Sequence, residues 1–298
     1  MGRVWRLDTG LGASVAVKEL LWGGREESVR TEAAFQDAAT HRSAVRAPAN
    51  HRTVDGTYLC QLPPELGSGF VRVLDWVDGQ PLRSPGPDGA RWLGTTLGAL
   101  HHVGHPTGGA GPDPWYWRCP SGPDWHDLIG AAQGARWRED LRAALPRVFE
   151  LSAGVMRDDG PQWIYCHADL QPSNVLVDDT GRFTLLDWEN AGPGTPEREL
   201  AACLLTWNLD GDPLRVAVAG YRGAGGPVRT LSPAAFSQAA TVRLNYVYIQ
   251  ARAALDEALS ADLREHADHE CARVVASLPD PGHLVTLRGA INELLAAS

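Results

Sequence analysis

This sequence predicts an α+β chain of two lobes, a small β-rich lobe over residues 1–79 and a larger, mainly helical lobe over 80–298. Three observations lead there. The chain of 298 residues is long for one compact domain and can bury a substantial core. Short apolar alternations punctuated by turn residues fill the first lobe, whereas helical periodicity dominates after it. Within the helical part lies a hairpin pattern, two apolar runs at Val175–Val177 and Phe183–Leu186 joined by Asp178-Asp179-Thr180-Gly181.

The elements follow in order. Val4–Asp8 and Ser14–Lys18 read as strands joined by a turn at Gly10-Leu11-Gly12. Glu26 to Ala39 has helical composition, with Glu26 and Glu27 in its first turn complementing the helix dipole. Strands near Thr57–Leu62 and Phe70–Trp76 flank a Pro/Gly-rich connection, and a hinge falls at about residues 75–79. Beyond the Pro81–Gly89 stretch, helices are expected at Trp92–His102, Trp137–Val155, Leu200–Trp207, Ser232–Leu259 and Ala261–Leu278. Ala219–Gly226 is glycine-rich without a preceding strand or a following Lys-Ser/Thr pair, so it reads as a loop and not a phosphate cradle. His101, His102 and His105 close a helix before Pro106 and lack further ligands at metal spacing.

Composition excludes several classes. No apolar run reaches about eighteen residues and the N-terminus has no basic-then-apolar leader, which points to a cytoplasmic protein without membrane contact. Five widely spaced cysteines fit reduced thiols better than a disulfide framework or zinc site. A net charge of −9 argues against a nucleic-acid partner and is compatible with a cationic substrate. Oligomeric state is left open.

The chemistry concentrates in His167–Asn190. His167-Ala168-Asp169, with Asn174 five residues beyond the Asp, is a spacing that places a proton acceptor and a metal-binding amide on one turn. The hairpin that follows delivers a second carboxylate, Asp187. Phosphoryl transfer needs positioning and charge neutralisation more than covalent help, and these three oxygen-bearing side chains can provide both. A single Lys stands among 27 basic residues, and this Lys18 ends the apolar strand Val15-Ala16-Val17. A compact ammonium there suits crowded ATP phosphates better than a guanidinium fork. Glu32, in mid-helix, is the expected ion-pair partner of Lys18, and Leu74 is placed behind an adenine pocket whose backbone contacts come from the segment Asp75 to Val77. Glu189, Asp124, Asp256 and Glu257 are acids that could greet an amine-bearing acceptor.

On these motifs the chain resembles the aminoglycoside phosphotransferase family of small-molecule kinases, which share the protein-kinase fold. The likeness runs through Val15–Lys18, Arg30–Phe35, Leu74–Leu82, His167–Leu176 and Leu185–Ala201. It implies Asp169 as catalytic base, Asn174 and Asp187 as Mg²⁺ ligands, and Lys18 with Glu32 on the ATP phosphates. Asp75–Val77 would meet adenine, while His167, Pro172 and Glu199 would shape and buttress the catalytic loop. Ala168 stands where protein kinases carry Arg, and Asp187 runs within a dozen residues to Glu199, which leaves no room for a long activation segment. A small-molecule hydroxyl is therefore the expected acceptor: an aminoglycoside or related antibiotic, or a metabolic alcohol such as a sugar, a choline-like alcohol or homoserine. A nucleotide-binding regulator without turnover is the rival from another class. One departure stands out. Only seventeen residues precede Lys18, so the family's first strand and glycine-rich loop have no counterpart, through a late start or through loss of that strand.

Overall fold

The computed structural model describes residues 3–10, 12–20, 24–63, 65, 69–155 and 163–297. It begins with β1 (Val4–Asp8), β2 (Ser14–Leu20), α1 (Glu26–Arg42), β3 (Cys60–Gln61), β4 (Phe70–Asp75) and β5 (Gln80–Pro81). Next come α2 (Gly86–Val103), α3 (Gly122–Ala131), α4 (Arg138–Ala153), β6 (Ile164–Cys166), β7 (Val175–Val177), β8 (Phe183–Leu185) and β9 (Gly192–Gly194). The chain ends in α5 (Pro196–Thr206), α6 (Gly211–Gly223), α7 (Ser237–Leu255), α8 (Ala261–Ala276) and α9 (Pro281–Ala296). The α+β class stands: small antiparallel sheets precede and interrupt a predominantly helical chain. No helix among the described residues is long and apolar enough to cross a membrane.

Two compact units form. The first comprises Met1–Gly109, Ile164–Pro193 and Thr206–Pro227. Its main sheet has the order β1-β2-β4-β3 and is antiparallel, with Lys18 of β2 directly opposite Arg72 of β4 and Val4 of β1 opposite Lys18. Cross-strand partners share a face, so Lys18 and Arg72 project to the same side. The β1–β2 turn is closed by Thr9 N–H to Ala13 O (2.8 Å) and Gly12 N–H to Thr9 O (3.1 Å), while Leu11 of that turn lies outside the described residues. Helix α1 buries Val29, Ala33 and Phe35 together with the polar Glu32 and Gln36. Its Glu26 carboxylate accepts hydrogen bonds from the Tyr58 and Leu59 amides, which ties the helix start to the chain entering β3. A second sheet, β5-β7-β8, carries the residues that lead to Asp187.

Helices α2 and α6 lie in unusually close contact within this unit. A Cβ added at Gly94 would sit 1.8 Å from the Ala217 carbonyl oxygen, and one at Gly98 would sit 2.4 Å from that of Tyr221. This corrects the loop assigned to Ala219–Gly226: α6 continues to Gly223, and its Gly220 admits α2, since a Cβ added there would sit 3.0 Å from the Arg91 carbonyl oxygen.

The second unit comprises Ala110–Trp163, Gly194–Leu205 and Val228–Ser298. Its core gathers Trp125, Leu128 and Ile129 of α3, Leu141 and Val148 of α4, Leu244 and Val247 of α7, and Cys271, Val274 and Val275 of α8, with Trp137 before α4. Burial pushes the Cys271 thiol up to about 12, with Asp268 adding to the effect, so it behaves as a small apolar residue. The aromatic run Pro114–Trp117 is an anchored connection, since Asn245 of α7 donates to the carbonyls of Trp115 (2.9 Å) and Arg118 (2.7 Å).

Candidate active site

Strand β6 delivers the chain into His167, which is completely buried. The Asp169 amide donates to His167 Nδ1 at 3.3 Å, and a carbonyl can only accept, so Nε2–H donates to Leu186 O at 3.0 Å. The ring also packs edge-on against Trp188, with centroids 4.9 Å apart. This neutral imidazole thereby pins the loop carrying Asp169 to the segment carrying Asp187. Ala168 (φ 62°) and Asp187 (φ 58°) both hold the left-handed conformation, which is strained for residues with a side chain and concentrates at functional sites.

Pro172 opens a tight turn, Pro172–Asn174, that swings the Asn174 side chain back onto Asp169. Its Nδ2 donates to Asp169 O at 2.8 Å and Oδ2 at 3.0 Å, and Asn190 Nδ2 adds a second bond to that Oδ2 at 3.2 Å. Asn174 and Asn190 thus both hold Oδ2, and the Gln171 side chain adds a further hydrogen bond to the carboxylate. Burial, followed by the neighbouring negative charge of Asp187, raises the Asp169 pKa to about 6.

Across from it, Lys18 Nζ contacts Asp187 Oδ1 at 2.7 Å and Glu189 Oε1 at 2.9 Å. Burial disfavours its ammonium, but the two carboxylates outweigh that and the lysine pKa rises. The expected Lys18–Glu32 pair is corrected here. Glu32 instead binds Arg72, with Nη1 at 2.8 Å from Oε1, and both side chains are almost fully buried. The reason lies in the β2–β4 register: Arg72 emerges beside Lys18 in the sheet interior, and a guanidinium taken out of water requires a carboxylate partner. Asn50 Oδ1 accepts from Arg72 Nη2, and Asn50 in turn donates to Gln36 at 3.0 Å. Burial raises the Glu32 pKa despite the opposing charge of Arg72. Arg72→Met should destabilise the protein by about 3–5 kcal/mol, because it strands a buried carboxylate. Urea unfolding measures the loss, and Glu32→Gln in the same background should recover part of it.

A family model described as the phosphotransferase enzyme family (APH) matches residues 3–236. The chain belongs to this family. It is accordingly a phosphotransferase, and solved structures share its fold. One is an aminoglycoside phosphotransferase from Alicyclobacillus acidocaldarius, at 16% identity over 98% of this chain and 92% of that one, with a TM-score of 0.64. A spectinomycin phosphotransferase solved with ADP and spectinomycin matches at 12% identity over 98% and 90%, with a TM-score of 0.67. A microcompartment-associated aminopropanol kinase matches at 19% identity over 97% and 94%, with a TM-score of 0.61. No curated protein matches by sequence.

For this phosphotransferase, the donor chemistry fits a hard divalent cation. The Asn174 Nδ2 faces the Asp169 carbonyl, an obligate acceptor, so its Oδ1 is the end left for an ion. With the Asp187 carboxylate this gives an oxygen-only donor set, as Mg²⁺ requires. In the segment 75–79, the Asp75 amide donates to Ala49 O (2.9 Å) and its carboxylate lies 2.7 Å from His51 Nε2. Leu74 and Val77 are half-buried. Glu199 is buried in α5 of the second unit. Also in that unit, Asp124 closes a capping box with Ser121 at the start of α3, Asp256 accepts from the Ala258 amide, and Glu257 is exposed.

Sequence reasoning missed three roles. Glu189, assigned to acceptor contacts, holds Lys18; Asn190 holds Asp169; Arg72 claims Glu32. Only Arg72 left a visible signal, as a lone cation inside the apolar strand Phe70–Asp75.

Proposed function

We propose that this phosphotransferase transfers the γ-phosphoryl group of ATP to a hydroxyl of a small cationic molecule, an aminoglycoside or related antibiotic. The observation that carries the reading is Asp169, a half-buried carboxylate whose Oδ2 accepts from the side-chain amides of Asn174 and Asn190, beside Asp187. In this reading Asp169 takes the acceptor's proton as the oxygen attacks the γ-phosphorus. Mg²⁺ on Asn174 and Asp187 would neutralise charge on the transferring group. Lys18 would hold the α- and β-phosphates. The backbone of Asp75–Val77 would meet the adenine edge with Leu74 behind it. The Val77 amide and carbonyl have no hydrogen-bond partner among the described residues, which supports a hinge role.

The acceptor class draws on the net charge of −9 and on likeness to phosphotransferases of aminoglycosides and of spectinomycin. A metabolic amino alcohol is the second reading, favoured by the likeness to an aminopropanol kinase. An ATP-consumption screen over aminoglycosides, other antibiotics and metabolic alcohols tests both. Turnover with an antibiotic supports the first reading, turnover with an amino alcohol the second, and no turnover at all favours a regulator. Lys18→Ala should raise KM for ATP roughly 10–100-fold, the equivalent of about 1.5–3 kcal/mol for a charge-assisted bond, as initial-rate kinetics would measure.

A further inference from the structure

We infer that Glu189 is the carboxylate that positions Lys18 for the nucleotide phosphates, a role that α1 does not supply in this protein. The inference rests on the reading of Lys18 as the phosphate-binding cation. Lys18 needs an anionic partner to hold its flexible stem, and among the described residues only Asp187 and Glu189 form ion pairs with its ammonium. Glu32 is committed elsewhere. Its partner Arg72 is 3% exposed, and releasing Glu32 to Lys18 would strand a buried guanidinium. Asp187 is the proposed cation ligand, so a lysine held by Asp187 alone would compete with the ion for the same carboxylate.

Glu189 resolves that competition from a rigid position. It sits in the tight turn Trp188–Asn190 immediately after Asp187. Trp188 is buried, donates from Nε1 to Leu185 O at 3.2 Å and packs on His167. Asn190 ends the turn on Asp169 Oδ2. One short segment therefore holds the lysine through Glu189 and the base through Asn190, and registers both against Asp187. Among the described residues, Lys18 is the sole ion-pair partner of Glu189.

The test compares Lys18→Ala, Glu189→Gln, Glu189→Asp, Glu32→Gln and the Lys18→Ala/Glu189→Gln double variant. ADP binding is measured by calorimetry in the presence of a chelator, alongside KM and kcat for ATP. Glu189→Gln should weaken ADP about tenfold and raise KM for ATP more than it lowers kcat. Glu189→Asp should recover part of the loss, and the double variant should bind ADP no more weakly than Lys18→Ala alone. Glu32→Gln should lower the unfolding midpoint while ADP affinity stays within about twofold. Wild-type ADP affinity in Glu189→Gln, with affinity lost in Lys18→Ala, overturns the inference and spares the lysine. Unchanged ADP affinity and KM in Lys18→Ala overturns the lysine assignment and this inference with it.

Discussion

Asp169→Asn should lower kcat by roughly 10²–10⁴-fold, the contribution of a positioned general base, and leave ADP affinity within about twofold. The substitution keeps the side chain's shape while removing its negative charge and its ability to take a proton. Wild-type turnover in this variant would remove Asp169 from the chemistry. The pH profile gives a second readout. A base works when deprotonated, and burial followed by Asp187 raises Asp169 to about 6, so kcat should fall as pH drops through that region. A cation on Asp187 would relieve the repulsion and move this limb to lower pH, while the effect of burial remains. The acid limb should be absent from the residual activity of the Asn variant.

The same carboxylate makes an opposite prediction for stability. Its folded pKa lies above the ordinary 3.8, so its stabilising contribution is complete below that value and is lost as pH rises through about 6. At pH 7 the ionised group is a liability. Asp169→Asn should therefore raise stability at pH 7 by on the order of 1–3 kcal/mol, since each pKa unit is worth about 1.4 kcal/mol. The gain should vanish below about pH 4, where the native Asp is already neutral. Thermal unfolding in chelator at both pH values measures it. A protein that becomes more stable as it loses turnover has kept a strained group for use.

What the sequence made legible was what short spacing encodes. His167, Asp169, Asn174 and Asp187 lie within about twenty residues, so turn geometry alone predicts their convergence. Lys18 was readable because it is a lone ammonium ending an apolar strand. The Glu32 partnership was not readable, because its outcome depends on Arg72, forty residues away in sequence and adjacent only through the β2–β4 register. Nor was the role of Glu189: an acid beside an Asp in a turn looks solvated until the strand bearing Lys18 is laid over it. Among helices, α3, α6 and α9 escaped notice. In α6 the cause is physical, since glycine breaks helices on propensity alone but permits contacts that propensity does not count.

Gly94 is where that uncounted term should have its largest effect. Gly94→Ala replaces a helix-interior glycine, which by itself should stabilise α2 by about 0.5–1 kcal/mol. Against this stands a methyl 1.8 Å from the Ala217 carbonyl oxygen and 2.6 Å from its carbon, both backbone atoms that no rotamer change can move. Relief requires α2 and α6 to separate by more than an ångström. That opens the packing around Leu93 and Leu97, both completely buried, and strains the Gly98–Tyr221 approach one turn further along. Overpacking of this kind costs about 1–3 kcal/mol even where side chains can adjust, and a backbone obstacle puts the net loss at or above the upper end. For a chain of this size each kcal/mol lowers the midpoint by about 2–4 °C, so a fall of roughly 5–10 °C or more is expected by calorimetry. Gly94→Val should prevent folding, whereas Gly130→Ala, with nothing within 4 Å of the added Cβ, should leave the midpoint unchanged or slightly raised. A wild-type midpoint for Gly94→Ala would mean that the two helices are not in backbone contact, and Gly94 and Gly98 of α2 would then lose their explanation.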